Sequence, residues 1–288
     1  MLRAGKRAEQ KNLKIAGGLM CRHSVARQEF IAKARDGELG QIQFIRAYRM
    51  GGAAYLYPRD PKQNEIAWQI RNRSSFHWVS SGRFIEYLIH QIDECCWLKD
   101  GFPVSAQGVG GRIPGSPDCG QNLDTYSVEY TFADGTKALV VSRDMNECQS
   151  DFATYVHGTK RAGQFSGNVH HATVHTYQDQ RQEKNFIDWR AANEPCTPWQ
   201  AEWNVLMAMI RSDETHNETE RCVYANFAAL MARAAVHTGQ IVTWDQIVSS
   251  QFRFCPNVDQ LSFDSAAPVC ADTQGRYPVP IPGHWVEI

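Results

Sequence analysis

The sequence predicts an α+β fold in which a large, mixed and mostly antiparallel open sheet carries helices on one face. Residues 126–132 alternate apolar and polar side chains, the period of a half-buried strand. Asp134-Gly135 then forms a tight turn into a partner strand at 137–142. Residues 83–99 and 218–238 have apolar side chains at helical spacing. Consecutive strands beside long helices favour a sheet covered by helices.

A different pattern precedes the sheet. Residues 1–12 resemble a polar helix, residues 13–20 a strand, and Ser24 an N-cap for a helix that runs through Ala34. This helix–strand–helix order is typical of the end of an α/β domain. We therefore predict three parts: the end of an α/β domain at 1–40, a sheet domain at 41–255 and a C-terminal arm at 256–288.

The remaining segments complete the sheet domain. Residues 55–73 are predicted to be a loop, and the proline-rich arm is expected to lie extended on the surface. Thr197 and Thr243 each begin a capping box that opens a helix. The sheet should have six to nine strands, of which the others are predicted at 41–50, 104–111, 152–157, 164–165 and 172–177. Its uncovered face predicts a homo-oligomer, a dimer or a tetramer.

Composition excludes several classes of function. The chain has 288 residues, a net charge of −1 and 43% hydrophobic residues, with no block of like charges. Proteins that bind nucleic acid or membrane surfaces usually carry a basic stripe, so neither partner is expected. No apolar run approaches the roughly 18 residues of a membrane span. No signal peptide is visible, which favours the cytoplasm, although a longer native N-terminus could carry one.

Nine cysteines raise the possibility of a metal or disulfide framework. They include no Cys-x-x-Cys pair, and their number is odd. We predict reduced, mostly buried thiols. His170 and His171 are adjacent in a strand-like stretch, where neighbours point to opposite faces, so they form a poor ligand pair. No metal site is expected.

The segment at 83–99 carries the most informative side chains. At 100° per residue, one stripe of about 60° holds four of them: Glu86, His90, Asp93 and Trp97. Ser80-Ser81-Gly82 is predicted to cap the helix, and Tyr87, Gln91 and Glu94 are predicted to face solvent. A histidine with an ordinary pKa near 6.5 can exchange a proton with a hydroxyl, and a carboxylate one turn away can orient it. The alternative is the polar boundary of an ordinary amphipathic helix.

This helix and several other stretches occur in an order that resembles a known family. They are GLMCRH at 18–23, DGELGQI at 36–42, the helix with its flanking Ser81-Gly82 and Gly101-x-Pro103, DTYSVEYTFADGT at 124–136, HGTK at 157–160 and TGQIVTWDQ at 238–246. The chain from about residue 12 resembles the glucose–fructose oxidoreductase and inositol dehydrogenase family. The resemblance implies an oxidoreductase, a dehydrogenase of a sugar, cyclitol or related polyol, with NAD or NADP as cofactor.

The resemblance also implies roles for single residues. His90 and Glu86 take the positions of the acid–base pair, although the family commonly has Asp where this chain has Glu86. Asp93 would be a supporting carboxylate. The loop next to the nicotinamide would contain Arg22 and His23, and the substrate would be bordered by Trp78, Asn122 and Asp124.

The dinucleotide-binding sequence is not found. Such a unit needs a strand, a Gly-x-Gly-x-x-Gly turn and a helix. The glycines at 108–111 begin such a turn, but Ile113 stands where the third glycine belongs. The family's Glu-Lys-Pro motif is also absent. Residues 1–40 would then be the remnant of a Rossmann-type domain, and this chain should bind no NAD(P) tightly.

Two explanations remain open. In the first, the reading frame starts too late or the chain was shortened. In the second, a short chain kept the sheet and is a non-catalytic carbohydrate-binding protein or an oligomeric scaffold.

Overall fold

The computed structural model describes residues 1–60, 62–115, 118–167 and 172–288, and these residues form one sheet of nine strands. In chain order the strands are β1 (Ile42–Gly51), β2 (Ser105–Gly111), β3 (Thr125–Thr131), β4 (Lys137–Asp144), β5 (Asp151–Gly158), β6 (Ala162–Ser166), β7 (His175–Tyr177), β8 (Ile187–Arg190) and β9 (Val242–Thr243). The spatial order is β8-β7-β6-β5-β1-β4-β3-β2-β9. Only the β1–β4 pair of these described strands is parallel, which confirms the predicted mixed, mostly antiparallel sheet.

The α-helices of the described residues are α1 (Leu2–Gln10), α2 (Val25–Arg35), α3 (Glu65–Arg71), α4 (His77–Ser80), α5 (Arg83–Lys99), α6 (Pro198–Ser212), α7 (Thr219–Thr238) and α8 (Trp244–Ser249). α5 has the bounds that its apolar spacing predicts, and α7 differs by one residue. Among the described residues, every helix is too short or too polar to cross a lipid bilayer.

One face of the sheet packs against α5 and α7. The shared core is fully buried and includes Ile92 of α5, Val140 of β4 and Ala232 of α7. Gly110 lets α7 approach β2, because a Cβ there would lie 2.7 Å from Val236 and 2.4 Å from a backbone oxygen of β3. The stretch at 108–111, with the spacing of a dinucleotide motif, is therefore a strand that packs closely against a helix.

The opposite face of the sheet stays partly exposed. Tyr48 of β1 and Tyr155 of β5 lie there with their ring centroids 6.2 Å apart. The guanidinium of Arg46 lies 4.2 Å from the Tyr155 ring. The alternation of buried and half-exposed residues along β3 and β4 agrees with helices on one face only. The predicted oligomer through this face remains a prediction.

The strand predicted at 13–20 is wrong. A single bridge joins Ile15 to Asn217, and residues Met20–His23 form a 3₁₀ turn. Gly17 and Gly18 offer no side chains to a sheet, and the Gly17 amide donates to Glu218 instead. The helix after it does begin at Ser24, whose hydroxyl accepts from the Arg27 amide. The segment therefore lacks the strand expected of a Rossmann-type remnant, and the remnant itself remains a prediction.

Capping explains which other helices could be predicted. At α8 both halves of the predicted Thr243–Gln246 capping box are present. At α6 only Thr197 caps, because the Gln200 side chain bonds to Asn204. The predicted loop at 55–73 is partly wrong, since α3 lies within it and Asn64 caps its first turn. Strand β8 was also not predicted.

The C-terminal arm is extended, but it does not only follow the surface. Glu287 is 4% exposed, and its carboxylate bonds to Arg233 at 2.5 Å and His237 at 2.6 Å. The arm also places Tyr277 against Trp68, with their rings stacked at 5.9 Å. The prediction missed this anchoring because a buried carboxylate near a chain end has no local sequence signal.

All nine cysteines lie in the described part of the chain and are free thiols. Five of them are buried, as predicted. His170 and His171, which are predicted to be a poor ligand pair, lie outside the described residues.

Candidate functional site

The first turn of α5 is held from a distant loop. Gly82 has φ of 87°, and the side-chain oxygen of Asn122 accepts a 3.0 Å hydrogen bond from the Arg83 amide. The side-chain nitrogen of Asn122 donates to the carbonyl of Ser74 at 2.9 Å. The N-cap of α5 is Gly82, within the predicted segment Ser80-Ser81-Gly82, but no side chain of that segment caps the helix. Asn122 joins the start of α5 to the segment before α4.

Glu86 lies one turn further along α5, near that segment. Its carboxylate accepts from the Ser74 hydroxyl and forms an ion pair with Arg73, Nε to Oε1, at 3.2 Å. These contacts point the Glu86 carboxylate toward the loop at 73–75. The expected orienting contact with His90 is not among its described contacts.

His90 lies another turn along α5 and is partly buried. Its Nδ1 is shielded from solvent and has no hydrogen-bond partner among the described residues. Burial, and then the charge of Arg49, lower the pKa of His90 below its ordinary value. The imidazole is therefore neutral near pH 7, and a neutral imidazole can accept a proton.

Asp93 is 1% exposed and binds Arg22 through both oxygens, at 2.8 and 2.9 Å. The guanidinium of Arg22 also lies 5.1 Å from the ring of Trp97. Arg221 of α7 approaches the same carboxylate at 3.8 Å. A bidentate pair of this kind fixes orientation as well as charge. Asp93 thus ties the 3₁₀ turn at 20–23 to α5 and α7.

His23 belongs to a neighbouring cluster. Its Nε2 lies 3.0 Å from Glu218, which also pairs with Arg221 at 2.6 Å. Burial acts to raise the pKa of Glu218, but the bonds from His23 and the Gly17 amide and the charge of Arg221 hold it at about 2. The ligand atoms of His23, Glu202 and Glu218 lie within 4.8 Å of one another, a spacing that could suit a metal ion. We assign no ion here, because Arg221 already holds Glu218.

The three residues expected near the substrate lie in different surroundings. Asn122 caps α5, and Asp124 is 4% exposed and accepts from the Ile113 amide at 2.7 Å. Trp78 donates to the side chain of Gln69 at 2.7 Å and borders a shallow cavity of about 370 Å³. Asn122 and Asp124 therefore support the backbone near the start of α5, whereas Trp78 lines a cavity separate from the Glu86 carboxylate.

The predicted solvent-facing side of α5 is partly wrong. Gln91 and Glu94 are each 1% exposed. The Glu94 carboxylate accepts from Nε of Arg27 at 2.9 Å and from the hydroxyls of Thr154 and Ser166 at 2.6 and 2.8 Å. α2 and the strands β5 and β6 cover this side of the helix. Tyr87 is half-exposed.

A small cavity beside α5 was missed by sequence reasoning. It measures about 130 Å³ and is lined by three arginines and three tyrosines: Arg71, Arg73, Arg83, Tyr55, Tyr57 and Tyr87. Ser74, the partner of Glu86, also lines it. Most of these residues fall in the segment predicted to be a plain loop. Two closely spaced pairs, Tyr55 with Tyr57 and Arg71 with Arg73, were the available signal.

The cavity and His90 are linked through Arg49 of β1. The Arg49 guanidinium lies 4.6 Å from the ring of Tyr87, which lines the cavity. Arg49 is also the charge that most lowers the pKa of His90 after burial. The structure thus brings Glu86, His90 and the arginine cavity to one side of α5.

The chain is similar to known proteins in structure only. Neither a protein-family model nor a curated protein sequence matches the chain. Aldose-aldose oxidoreductase from Caulobacter crescentus, solved with glycerol, matches with a TM-score of 0.62 and 17% identity over 80% of this chain and 64% of that one. A putative myo-inositol dehydrogenase from Sinorhizobium meliloti 1021 matches with 0.59 and 16%, over 83% and 68%.

A third match is scyllo-inositol dehydrogenase from Lactobacillus casei, solved with NAD(H) and scyllo-inositol. Its TM-score is 0.58 at 19% identity, over 85% of this chain and 70% of that one. The chain has the fold of the glucose–fructose oxidoreductase and inositol dehydrogenase type, as the resemblance predicted. It spans about two-thirds of the length of these solved structures.

Proposed function

We propose that this chain forms the substrate side of an NAD- or NADP-dependent oxidoreductase that acts on a sugar, a cyclitol or a related polyol. The fold supports the reaction class, because the similar structures include sugar and inositol dehydrogenases. One observation carries the proposal further. His90 presents a neutral imidazole with an unpartnered Nδ1 on the helix that also carries Glu86.

His90 is proposed to act as the base. Oxidation of a carbinol requires that its hydroxyl proton be taken up, and a positioned histidine typically contributes about 10²–10⁴-fold to such a step. Desolvation keeps His90 unprotonated at neutral pH, which is the form that can receive this proton. Among the described residues no side chain or backbone group bonds to Nδ1, so that nitrogen is not committed to another partner.

The other residues of the site are proposed to position this base and the substrate. Asp93 holds α5 through Arg22, and Asn122 holds its first turn. Glu86 bonds to Ser74, which lines the cavity. At this position the Glu86 carboxylate can accept a hydrogen bond from a substrate hydroxyl. Asp124 and Trp78 contribute as supports of the surrounding loops.

The described residues do not fit the dinucleotide itself. A diphosphate needs a glycine turn that leads into a helix N-terminus. The glycines at 108–111 lie in β2, where Gly108 and Gly110 lie against Val236 of α7 instead. Arg22 and His23, expected to border the nicotinamide, are engaged by Asp93 and Glu218. The proposal therefore assigns binding and proton uptake to this chain, and binding of NAD or NADP to none of the described residues.

The test uses the full-length product of the gene. The purified product is assayed with NAD⁺ and NADP⁺ against glycerol, glucose, myo-inositol and scyllo-inositol, and substrate binding is measured separately by calorimetry. We expect polyol-dependent formation of reduced nicotinamide. If a polyol binds but neither NAD⁺ nor NADP⁺ is reduced, the proposed oxidoreductase activity is wrong and a carbohydrate-binding protein remains.

The half-exposed aromatic residues on the open sheet face favour a second candidate, an oligomeric scaffold. Tyr48 and Tyr155 lie in the middle of that face, on neighbouring strands. Burial of aromatic side chains is typical of the centre of protein interfaces. Sedimentation analysis should show a dimer or tetramer that the Tyr48→Glu variant dissociates. A monomeric wild-type chain would remove this candidate.

A further inference from the structure

The cavity beside α5 carries more positive charge than its surroundings neutralise. Arg73 pairs with Glu86 at 3.2 Å, and Arg83 pairs with Asp144 at 2.8 Å. Arg71 and Arg49 have no carboxylate within ion-pair distance among the described residues. The three arginines that line the cavity, together with Arg49 at the ring of Tyr87, therefore have two carboxylates as ion-pair partners, which leaves an excess of two positive charges.

Tyrosine rings hold the two arginines without carboxylate partners. Arg71 lies 5.2 Å from the ring of Tyr57, and Arg49 lies 4.6 Å from the ring of Tyr87. Arg83 lies 4.7 Å from the same Tyr87 ring. Stacking on an aromatic face leaves the N–H groups at the edge of a guanidinium available. The ring therefore orients each guanidinium and does not use its hydrogen bonds.

The positive charges also act on one another. Burial, and then the nearby charge of Arg83, lower the pKa of Arg49. An anion placed among these groups would relieve the repulsion. A guanidinium binds a carboxylate or a phosphate through two parallel hydrogen bonds, so arginine suits such an anion better than lysine does.

The size of the cavity indicates which part of a ligand it can hold. Sites for whole drug-sized ligands measure about 300–1,000 Å³. At about 130 Å³ this cavity is on the scale of one substituent. Ser74 and the hydroxyls of Tyr55 and Tyr57 can bond to a polar group next to the charge.

We propose that this cavity binds the anionic group, a carboxylate or a phosphate, of a negatively charged sugar or polyol, with Arg71 as its main free contact. The proposal rests on the function proposed above and specifies its substrate class. Neutral polyols would lack the group that the arginines recognise.

The experiment measures binding by calorimetry with four probes: glucose, gluconate, glucuronate and glucose 6-phosphate. The wild-type chain should bind one of the charged probes at least tenfold more tightly than glucose, and the order of the acids and the phosphate identifies the anion. Affinity for that probe should fall at about 1 M salt, where the Debye length is near 3 Å.

Arg71→Gln is the test variant, because Arg71 is exposed and has no carboxylate partner whose loss could disturb the fold. It should weaken binding of the charged probe by about ten- to a hundredfold, the range for a hydrogen bond to a charged group. Arg211→Gln is the matched control, since Arg211 is also an exposed arginine in the last turn of a helix but lies outside the cavity.

Two outcomes would overturn the charged-substrate proposal alone: glucose that binds as tightly as its charged derivatives, or an Arg71→Gln chain that binds the charged probe like the wild type. Failure of all four probes to bind would also overturn it. A charged probe that binds through Arg71, without turnover by the gene product, would instead support the anion site and contradict the oxidoreductase.

Discussion

The carboxylate of Glu94 accepts a 2.9 Å hydrogen bond from Nε of Arg27, and the two side chains are 1% and 0% exposed. This pair joins α2 to α5, the helix that carries Glu86 and His90. The hydroxyls of Thr154 and Ser166 donate further hydrogen bonds to the same carboxylate. The candidate site therefore rests on a buried charge that is fully paired.

Breaking this pair should destabilise the protein strongly. Arg27→Met leaves the Glu94 carboxylate buried and unpaired, and such a change lowers the free energy of unfolding by about 3–5 kcal/mol. Urea denaturation measures the change. The control is Arg35→Met on the same helix, whose pair with Asp100 is exposed and should contribute at most about 1 kcal/mol. Equal effects of the two variants would show that the buried pair does not anchor α2.

Replacement of His90 should affect turnover more than binding. In the full-length gene product, His90→Ala is expected to lower kcat by about 10²–10⁴-fold and to change substrate affinity little. His284→Ala, which removes an exposed histidine of the arm, is the control. Because burial and Arg49 lower the pKa of His90, the acid limb of kcat should have its midpoint below pH 6.5. Wild-type turnover in His90→Ala would remove His90 from the mechanism.

Removal of the distant cap on α5 should have a moderate effect. Asn122→Ala loses the hydrogen bond to the Arg83 amide, and an N-cap of this kind contributes about 0.5–2 kcal/mol to the free energy of unfolding. The bond to the Ser74 carbonyl is lost as well. Asn204→Ala, on the exposed face of α6, should stay within about 0.5 kcal/mol of the wild type. Thermal unfolding of the two variants distinguishes the cap from a generic loss of asparagine.

Stability should fall in acid in two stages. Burial lowers the pKa of His77 well below its ordinary value, and it lowers that of His237 as well. The unfolded chain takes up these protons below about pH 6.5 while the folded chain does not, so the free energy of unfolding decreases there. Burial acts to raise the pKa of Glu287, but Arg233 and His237 hold it at about 2. Its contribution is present above about pH 4.5 and is lost as the pH falls toward 2.

Urea midpoints of the wild type and Glu287→Gln between about pH 3 and 8 test this second stage. The variant should be less stable at neutral pH, because Arg233 is left buried beside an uncharged group. The difference between the two proteins should shrink as the pH falls from about 4.5 toward 2, because the unfolded wild-type chain protonates Glu287 in this range while the folded chain keeps it charged. A difference that stays constant with pH would mean that Glu287 is not charged in the folded protein.

Local pattern was sufficient wherever neighbours in the sequence are also neighbours in space. The bounds of α5 follow from apolar residues at helical spacing, and the β3–β4 hairpin follows from alternation around Asp134-Gly135. The N-cap at Ser24 and the capping box at Thr243 are likewise contacts within one turn of chain. The stripe of Glu86, His90 and Asp93 could be placed on one helix for the same reason.

The partners of those side chains were decided by tertiary structure alone. Arg22 and Asp93 are 71 residues apart, Arg27 and Glu94 are 67 apart, and Asn122 and the amide that it caps are 39 apart. Side chains such as Gln91 and Glu94 are buried because α2, β5 and β6 cover a side of α5 that its own sequence marks as polar. Local propensity describes only neighbours in the sequence, so it cannot predict cover by distant elements. The position of β1 between β5 and β4 in the sheet creates this cover.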